Sequence, residues 1–221
     1  MESTTQITAI EFENSRGQKL AGYWELPPDR PGPLPAVVFA HDAGSGKDDP
    51  LDALIAQGLV DTGIIPLRFD FTGHGSSQGK LEESTPEQQS DDLLWAIDYA
   101  LRQAQCNGVI GIHGSGTGGL AALMVALTDF RFSALVLRNP KAGLVMQYAP
   151  MITTPALIIA GSDDPLLGPY KDLYGALKVQ KRLAIVSDAA ADFAGEQERG
   201  KVLRETIDWF IEHLVPVEVN V

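Results

Sequence analysis

Six short, largely apolar runs recur along the chain, each followed by a loop, and most by a stretch with helical spacing. This alternation restricts the fold more than any other feature. The runs are PAVVFA (35–40), IIPLRFDF (64–71), GVIGIH (108–113), SALVLR (133–138), PALIIAG (155–161) and RLAIVS (182–187). Strands apolar on both faces have to be covered on both faces, so regular βαβα alternation predicts an α/β fold with a mostly parallel sheet between helices. Only two short strand-like runs come before these, too little for a domain of their own. The Pro-rich stretch Pro27–Pro35 therefore reads as a surface loop between strands, and residues 1–221 as a single domain.

The intervening segments carry helix signals. Residues 50–62 suit a short helix. Thr85 reads as an N-cap, Pro86 as the first helical residue and Gln88 as the closing member of a T-x-x-Q capping box. Leu93, Ile97, Ala100 and Ala104 then recur at helical spacing. GSGTGG opens a helix to about Thr128, another lies near 169–178, and the last places Leu203, Ile207, Phe210 and Leu214 on one face.

Charge narrows the function classes. Seventeen basic against 29 acidic side chains give a net charge of −12, with no Lys/Arg cluster. Such a chain repels phosphate backbones and anionic lipid, so neither nucleic acid nor membrane is an expected partner. The single Cys106 excludes an intrachain disulfide and a Cys-based zinc site, and reads as a plain thiol. The N-terminal segment has neither a basic start nor an apolar run, and no apolar stretch approaches the roughly 18 residues of a membrane span. The expectation is a soluble, cytoplasmic protein with no metal and no cofactor.

In open α/β sheets, ligands sit at the carboxyl ends of the strands. Four such ends are distinctive here: His41-Asp42-Ala43-Gly44-Ser45-Gly46, Asp70-Phe71-Thr72-Gly73-His74-Gly75-Ser76-Ser77, Gly114-Ser115-Gly116-Thr117-Gly118-Gly119, and Gly161-Ser162-Asp163-Asp164-Pro165. In this order and at these distances they resemble the α/β-hydrolase superfamily over nearly the whole chain. The resemblance is nearest to its small, capless esterase or dienelactone-hydrolase-like group, because only about fifteen residues separate the 133–138 run from the next. It implies an oxyanion loop at His41-Asp42, a structural D-x-x-G-x-G-x-S turn, a nucleophile elbow at 114–118 and a catalytic acid at Asp164, with Asp163 as the rival. His41 and His74 would brace the loops, Thr117 would supply an oxyanion N–H, and a small-molecule ester or acyl compound would be the ligand.

Residue by residue, the chemistry implied by the resemblance is missing. In the G-x-Nuc-x-G frame of Gly114-Ser115-Gly116-Thr117-Gly118, the nucleophile position falls on Gly116. The histidine string after the last strand reads Asp188-Ala189-Ala190-Ala191-Asp192-Phe193, which puts the base position on Ala191. Of the four histidines, only His213 follows the elbow, and it lies late in the closing helix. Asp42 stands where glycine is usual, and a carboxylate there opposes a developing oxyanion. The reading is a hydrolase-fold protein with a disabled centre, serving as a binding or interaction protein or as an inactivated hydrolase variant. On this frame Gly116 keeps an elbow's positive φ, Gly116→Ser is tolerated at modest cost, and Gly116→Ser with Ala191→His restores triad order.

Two other readings compete. Ser115 served by His113, with Asp164 as acid, would make an active ester hydrolase of unorthodox layout. Gly114-x-Gly116-x-x-Gly119 is formally a dinucleotide-binding pattern, but Arg138-Asn139 stand where its acidic residue is expected. Ala43-Gly44-Ser45-Gly46-Lys47 looks like a phosphate loop, yet His41 and Asp48 occupy positions that need Gly and Ser/Thr.

Overall fold

The computed structural model describes residues 5–28, 30 and 32–215. Asp29 and Pro31 of the Pro-rich stretch, and the first four residues of the N-terminal segment, lie outside the described residues. In chain order the elements are β1 (Gln6–Glu13), β2 (Lys19–Leu26), β3 (Leu34–Ala40), α1 (Pro50–Thr62), β4 (Ile65–Phe69), α2 (Pro86–Arg102), β5 (Cys106–Ser115), α3 (Gly116–Val125), β6 (Ala134–Arg138), β7 (Ala156–Gly161), α4 (Leu167–Ala176), β8 (Lys181–Val186) and α5 (Glu196–Leu214). All eight strands join one sheet in the order β1-β2-β4-β3-β5-β6-β7-β8. The pairs β1–β2 and β2–β4 are antiparallel, and from β4 onward every pair is parallel.

Alternate side chains along each strand serve opposite cores. One core packs Val38, Ile112, Leu135 and Ile158 under α2, α3 and α4. The other packs Val37, Phe39, Val136 and Ile159 under α1 and α5, with Trp209 and Phe210 fully buried. Each such large apolar side chain contributes about 1.5–3 kcal/mol. Two covered faces explain why the central strands read as continuous apolar runs. Among the described residues, no helix is long and apolar enough to cross a membrane.

The local chemistry sets the helix starts. Asp49 caps α1, accepting from the Leu51 and Asp52 amides at 3.0 and 2.9 Å, with Pro50 in the first turn. The Thr85 hydroxyl accepts from the Gln88 amide at 3.3 Å, as expected of a cap. The reciprocal half of the box does not form. Gln88 Nε2 donates to the buried Asp92 at 2.8 Å, and the Thr85 amide goes to the Glu83 carbonyl instead. Ala104 is exposed beyond the end of α2, because Gln103 is already extended and turns the chain toward β5. The helix expected near 169–178 begins earlier, since Asp164 accepts from the Leu166 amide at 2.8 Å and starts the turn.

Candidate functional site

The loop after β3 is lashed to the turn after β4. His41 is buried, accepts from the Phe71 amide at Nε2 (3.0 Å) and donates from Nδ1 to the Asp42 carbonyl (2.7 Å). These partners assign the Nδ1–H tautomer, and burial holds the imidazole below its ordinary pKa. His74 places its ring nitrogens 3.1 Å from the Thr72 and Ala43 carbonyls. The Asp70 carboxylate accepts from the Lys47 amide (2.8 Å), the Lys47 ammonium (2.6 Å) and the Ser76 amide (2.9 Å). Asp70→Asn faces a buried ammonium with an uncharged group. It should cost about 1.5–3 kcal/mol in urea denaturation.

At the end of β5 the chain makes a sharp turn. Gly116 is the first residue of α3, but its φ of 52° is left-handed and departs from regular helix, so the chain turns sharply there as expected of an elbow. Gly118 is required for a different reason: a Cβ there would run into the Ala40 and His41 carbonyls, where α3 crosses the end of β3. The Thr117 amide, expected to face the pocket, is not free. It donates to Asp42 Oδ1 at 2.9 Å, and the Ala43 amide donates to the same oxygen at 2.8 Å. Lys141 Nζ lies 3.5 Å away. Partial burial pushes the Asp42 carboxyl up, but the two amides and the ammonium outweigh it and hold the group below the usual carboxylate range. A Cβ on Gly116 would overlap this carboxylate. The expectation that Gly116→Ser is tolerated at modest cost therefore needs correction. Asp42 has to move before any side chain fits at 116.

The remaining positions surround the same opening. Asp164 is 5% exposed and accepts from the Leu166 amide and, at 3.2 Å, from the Tyr170 hydroxyl. Burial, then Asp164, raises the Tyr170 phenol well above its ordinary value. Asp163 is exposed and takes a hydrogen bond from Ser162 at 2.9 Å. Of the two aspartates, Asp164 borders the cleft. Ala191 is exposed on the loop after β8, its carbonyl accepting from Asn139 Nδ2 at 2.7 Å. Asp188 and Phe193 in that loop have φ 55° and 48°, and the Phe193 side chain is buried.

His113 lies beneath the site rather than in it. Its ring is fully buried, 4.9 Å from the Phe39 ring, and neither nitrogen has a hydrogen-bond partner among the described residues. Asp52 Oδ1 is 3.8 Å from Nδ1. Burial, then the Arg138 charge, pushes the imidazole down to about 3. The arrangement of Ser115 served by His113 is therefore not assembled, since a nucleophile and its base should meet within about 2.6–3.2 Å. His213 donates to the Trp209 carbonyl at 2.8 Å, within α5.

These residues enclose a cleft of about 540 Å³, bordered by Asp42, Ser115, Gly116, Asn139, Asp164 and Ala191. Leu51, Leu166, Tyr170 and Phe193 give it apolar wall. Among the contributors that the hydrolase reading of the sequence did not single out are Arg138, which reaches the cleft from the end of β6, and Tyr170 on α4. A charged residue closing the apolar run SALVLR was the available signal for the first. The dinucleotide reading also fails here. Gly114 and Gly119 serve close packing against each other and Pro140, and the Asp42 carboxylate sits at the start of α3, where a pyrophosphate would have to bind.

A family model described as "Alpha/beta hydrolase domain" matches residues 33–216. The solved dienelactone hydrolase from Anabaena variabilis is 25% identical with a TM-score of 0.83, covering 95% of this chain and 99% of that one. Est1E from Butyrivibrio proteoclasticus, solved with ferulic acid bound, is 20% identical with a TM-score of 0.84, covering 92% and 98%, a likeness of fold. A Mycobacterium tuberculosis protein named "Putative phosphoribosyl transferase" is 27% identical over 199 residues, 88% of this chain and 44% of that protein. The chain thus spans less than half the length of this curated relative.

Proposed function

The chain belongs to the alpha/beta-hydrolase domain family, and from that premise we propose that its catalytic centre is disabled and its cleft serves to bind a small ester or acyl compound. In this reading Gly116 holds the nucleophile position, Ala191 the histidine position and Asp164 the acid position. His41, Asp42 and Thr117 form the oxyanion corner. The observation that carries it is the Asp42 carboxylate. It is seated on the Thr117 and Ala43 amides and fills the space that a Cβ on Gly116 would need.

The chemistry follows from that seat. Acyl transfer needs a nucleophile beside a base, and N–H donors aimed at the oxygen that becomes negative. Here the Thr117 donor is already engaged by the Asp42 carboxylate, and a second oxyanion at the same place meets like-charge repulsion in a partly dry site.

The test is turnover of p-nitrophenyl acetate by the native chain and by Ser115→Ala. The expected result is no saturable hydrolysis above buffer in either. Saturable turnover that vanishes in Ser115→Ala would instead make Ser115 the nucleophile of a working hydrolase and overturn this reading.

A further inference from the structure

Two side chains on the cleft floor have donors to spare. Ser115 and Arg138 end neighbouring strands and are register partners, so their side chains leave the same face of the sheet. Ser115 is 4% exposed and borders the cleft, yet its hydroxyl makes no capping bond to α3 and has no partner among the described residues. Arg138 is 9% exposed, and among the described residues only Nη2 of its guanidinium nitrogens has a hydrogen-bond partner, Asp52 Oδ1 at 2.7 Å. Nε has none. Buried donors without acceptors are rare in folded chains, and such a pair facing a cavity calls for an oxygen from a ligand.

Charge decides which oxygen. The guanidinium is already met by Asp52 at 2.7 Å and by Asp49 at 3.9 Å. The cleft wall adds Asp42, Asp164 and Asp192 against Lys141 and Arg199. An incoming carboxylate would find its partner charge taken and several carboxylates nearby. A neutral carbonyl oxygen accepts the same two hydrogen bonds without that repulsion.

We propose that Ser115 and Arg138 form a specificity-determining donor pair that holds the carbonyl oxygen of an uncharged ligand, such as an amide or ester, and disfavours the corresponding acid. This rests on the reading of the cleft as a small-molecule site. The discriminating probes are phenylacetamide and phenylacetate, which share shape and differ in charge at pH 7. Both are titrated into the full chain and followed by amide chemical shifts.

Phenylacetamide should bind at least about tenfold more tightly, with the largest shifts at Ser115 and Arg138. Ser115→Ala should weaken phenylacetamide about five- to tenfold, the scale of one net hydrogen bond, and leave phenylacetate unchanged. That variant removes a hydroxyl with no protein partner, so its melting temperature should match the native chain. Arg138→Lys, which retains a cation for Asp52, should weaken the amide by a similar factor. Equal or tighter binding of phenylacetate overturns the inference while leaving the cleft a ligand site. So does an unchanged amide affinity in Ser115→Ala. If neither probe perturbs the cleft residues, the inference falls together with the reading beneath it.

Discussion

The triple variant Asp42→Gly, Gly116→Ser, Ala191→His should hydrolyse p-nitrophenyl esters at about 10²–10⁴ times the background rate, the range that a positioned general base supplies. Gly116→Ser with Ala191→His but Asp42 retained should stay inactive. The reason is spatial as well as electrostatic. A Cβ at 116 overlaps the Asp42 carboxylate, and the Thr117 amide is committed to that carboxylate. Removing Asp42 frees the donor, clears the space and withdraws a negative charge from the oxyanion corner in one step. Asp164 already lies buried beside the cleft to orient an imidazole at 191.

Stability should show the same coupling. Serine at φ 52° costs about 1–3 kcal/mol wherever it is placed, and the overlap adds to that only while Asp42 is present. Gly116→Ser should therefore destabilise the native chain more than it destabilises Asp42→Gly. The non-additivity should be about 0.5–3 kcal/mol in a double-mutant cycle. A folded triple variant without turnover would show that at least one of positions 116, 164 and 191 is misassigned.

Acid should unfold the protein through His113. Its folded value of about 3 lies below the ordinary 6.5, so the folded state keeps the ring neutral while the unfolded chain takes up a proton. The stability at stake is present in full above pH 6.5 and is lost as the pH falls toward 3, at about 1.4 kcal/mol per pH unit. His41 is depressed as well, by burial, and acts in the same direction. Asp52 works oppositely, because burial raises its carboxyl and favours its protonated form.

A comparison with His113→Leu cancels the contributions of His41 and of the carboxylates outside this cluster. Between pH 7 and pH 4, urea denaturation should show the native chain losing about 3 kcal/mol more than the variant. At pH 7 the variant should be at least as stable, since it replaces two buried, unpartnered ring nitrogens with hydrocarbon. Parallel pH profiles for the two proteins would rule out His113 as the source.

The parts legible in the sequence are those set by local pattern. Apolar runs located every parallel strand, because burial on both faces leaves no other composition. The spacing of Gly114, Gly116 and Gly118 located the turn now seen with Gly116 at φ 52°. Asp164, already preferred over Asp163 in the sequence, is set apart in three dimensions by its bonds to Leu166 and Tyr170. What stayed hidden depends on where side chains turn. Asp42 was legible as an unfavourable charge, but not as the group filling the space above Gly116. The Gln88 side chain leaves its capping box because the Asp92 carboxylate, 0% exposed and needing donors, competes for it. Arg138 becomes a cleft residue only because Ser115 beside it is small and Asp52 of α1 anchors it. Such choices are made by tertiary contacts that periodicity does not encode.

The most direct measurement is the intact mass of the native chain after prolonged incubation with a fluorophosphonate. The reagent adds covalently to serines activated by a neighbouring base, whatever ester the protein prefers, so it tests the chemistry without knowledge of a substrate. With glycine at 116, alanine at 191 and Asp42 on the Thr117 amide, a disabled centre should leave the mass unmodified. A single stoichiometric adduct, mapped to the peptide carrying Ser115, would contradict it.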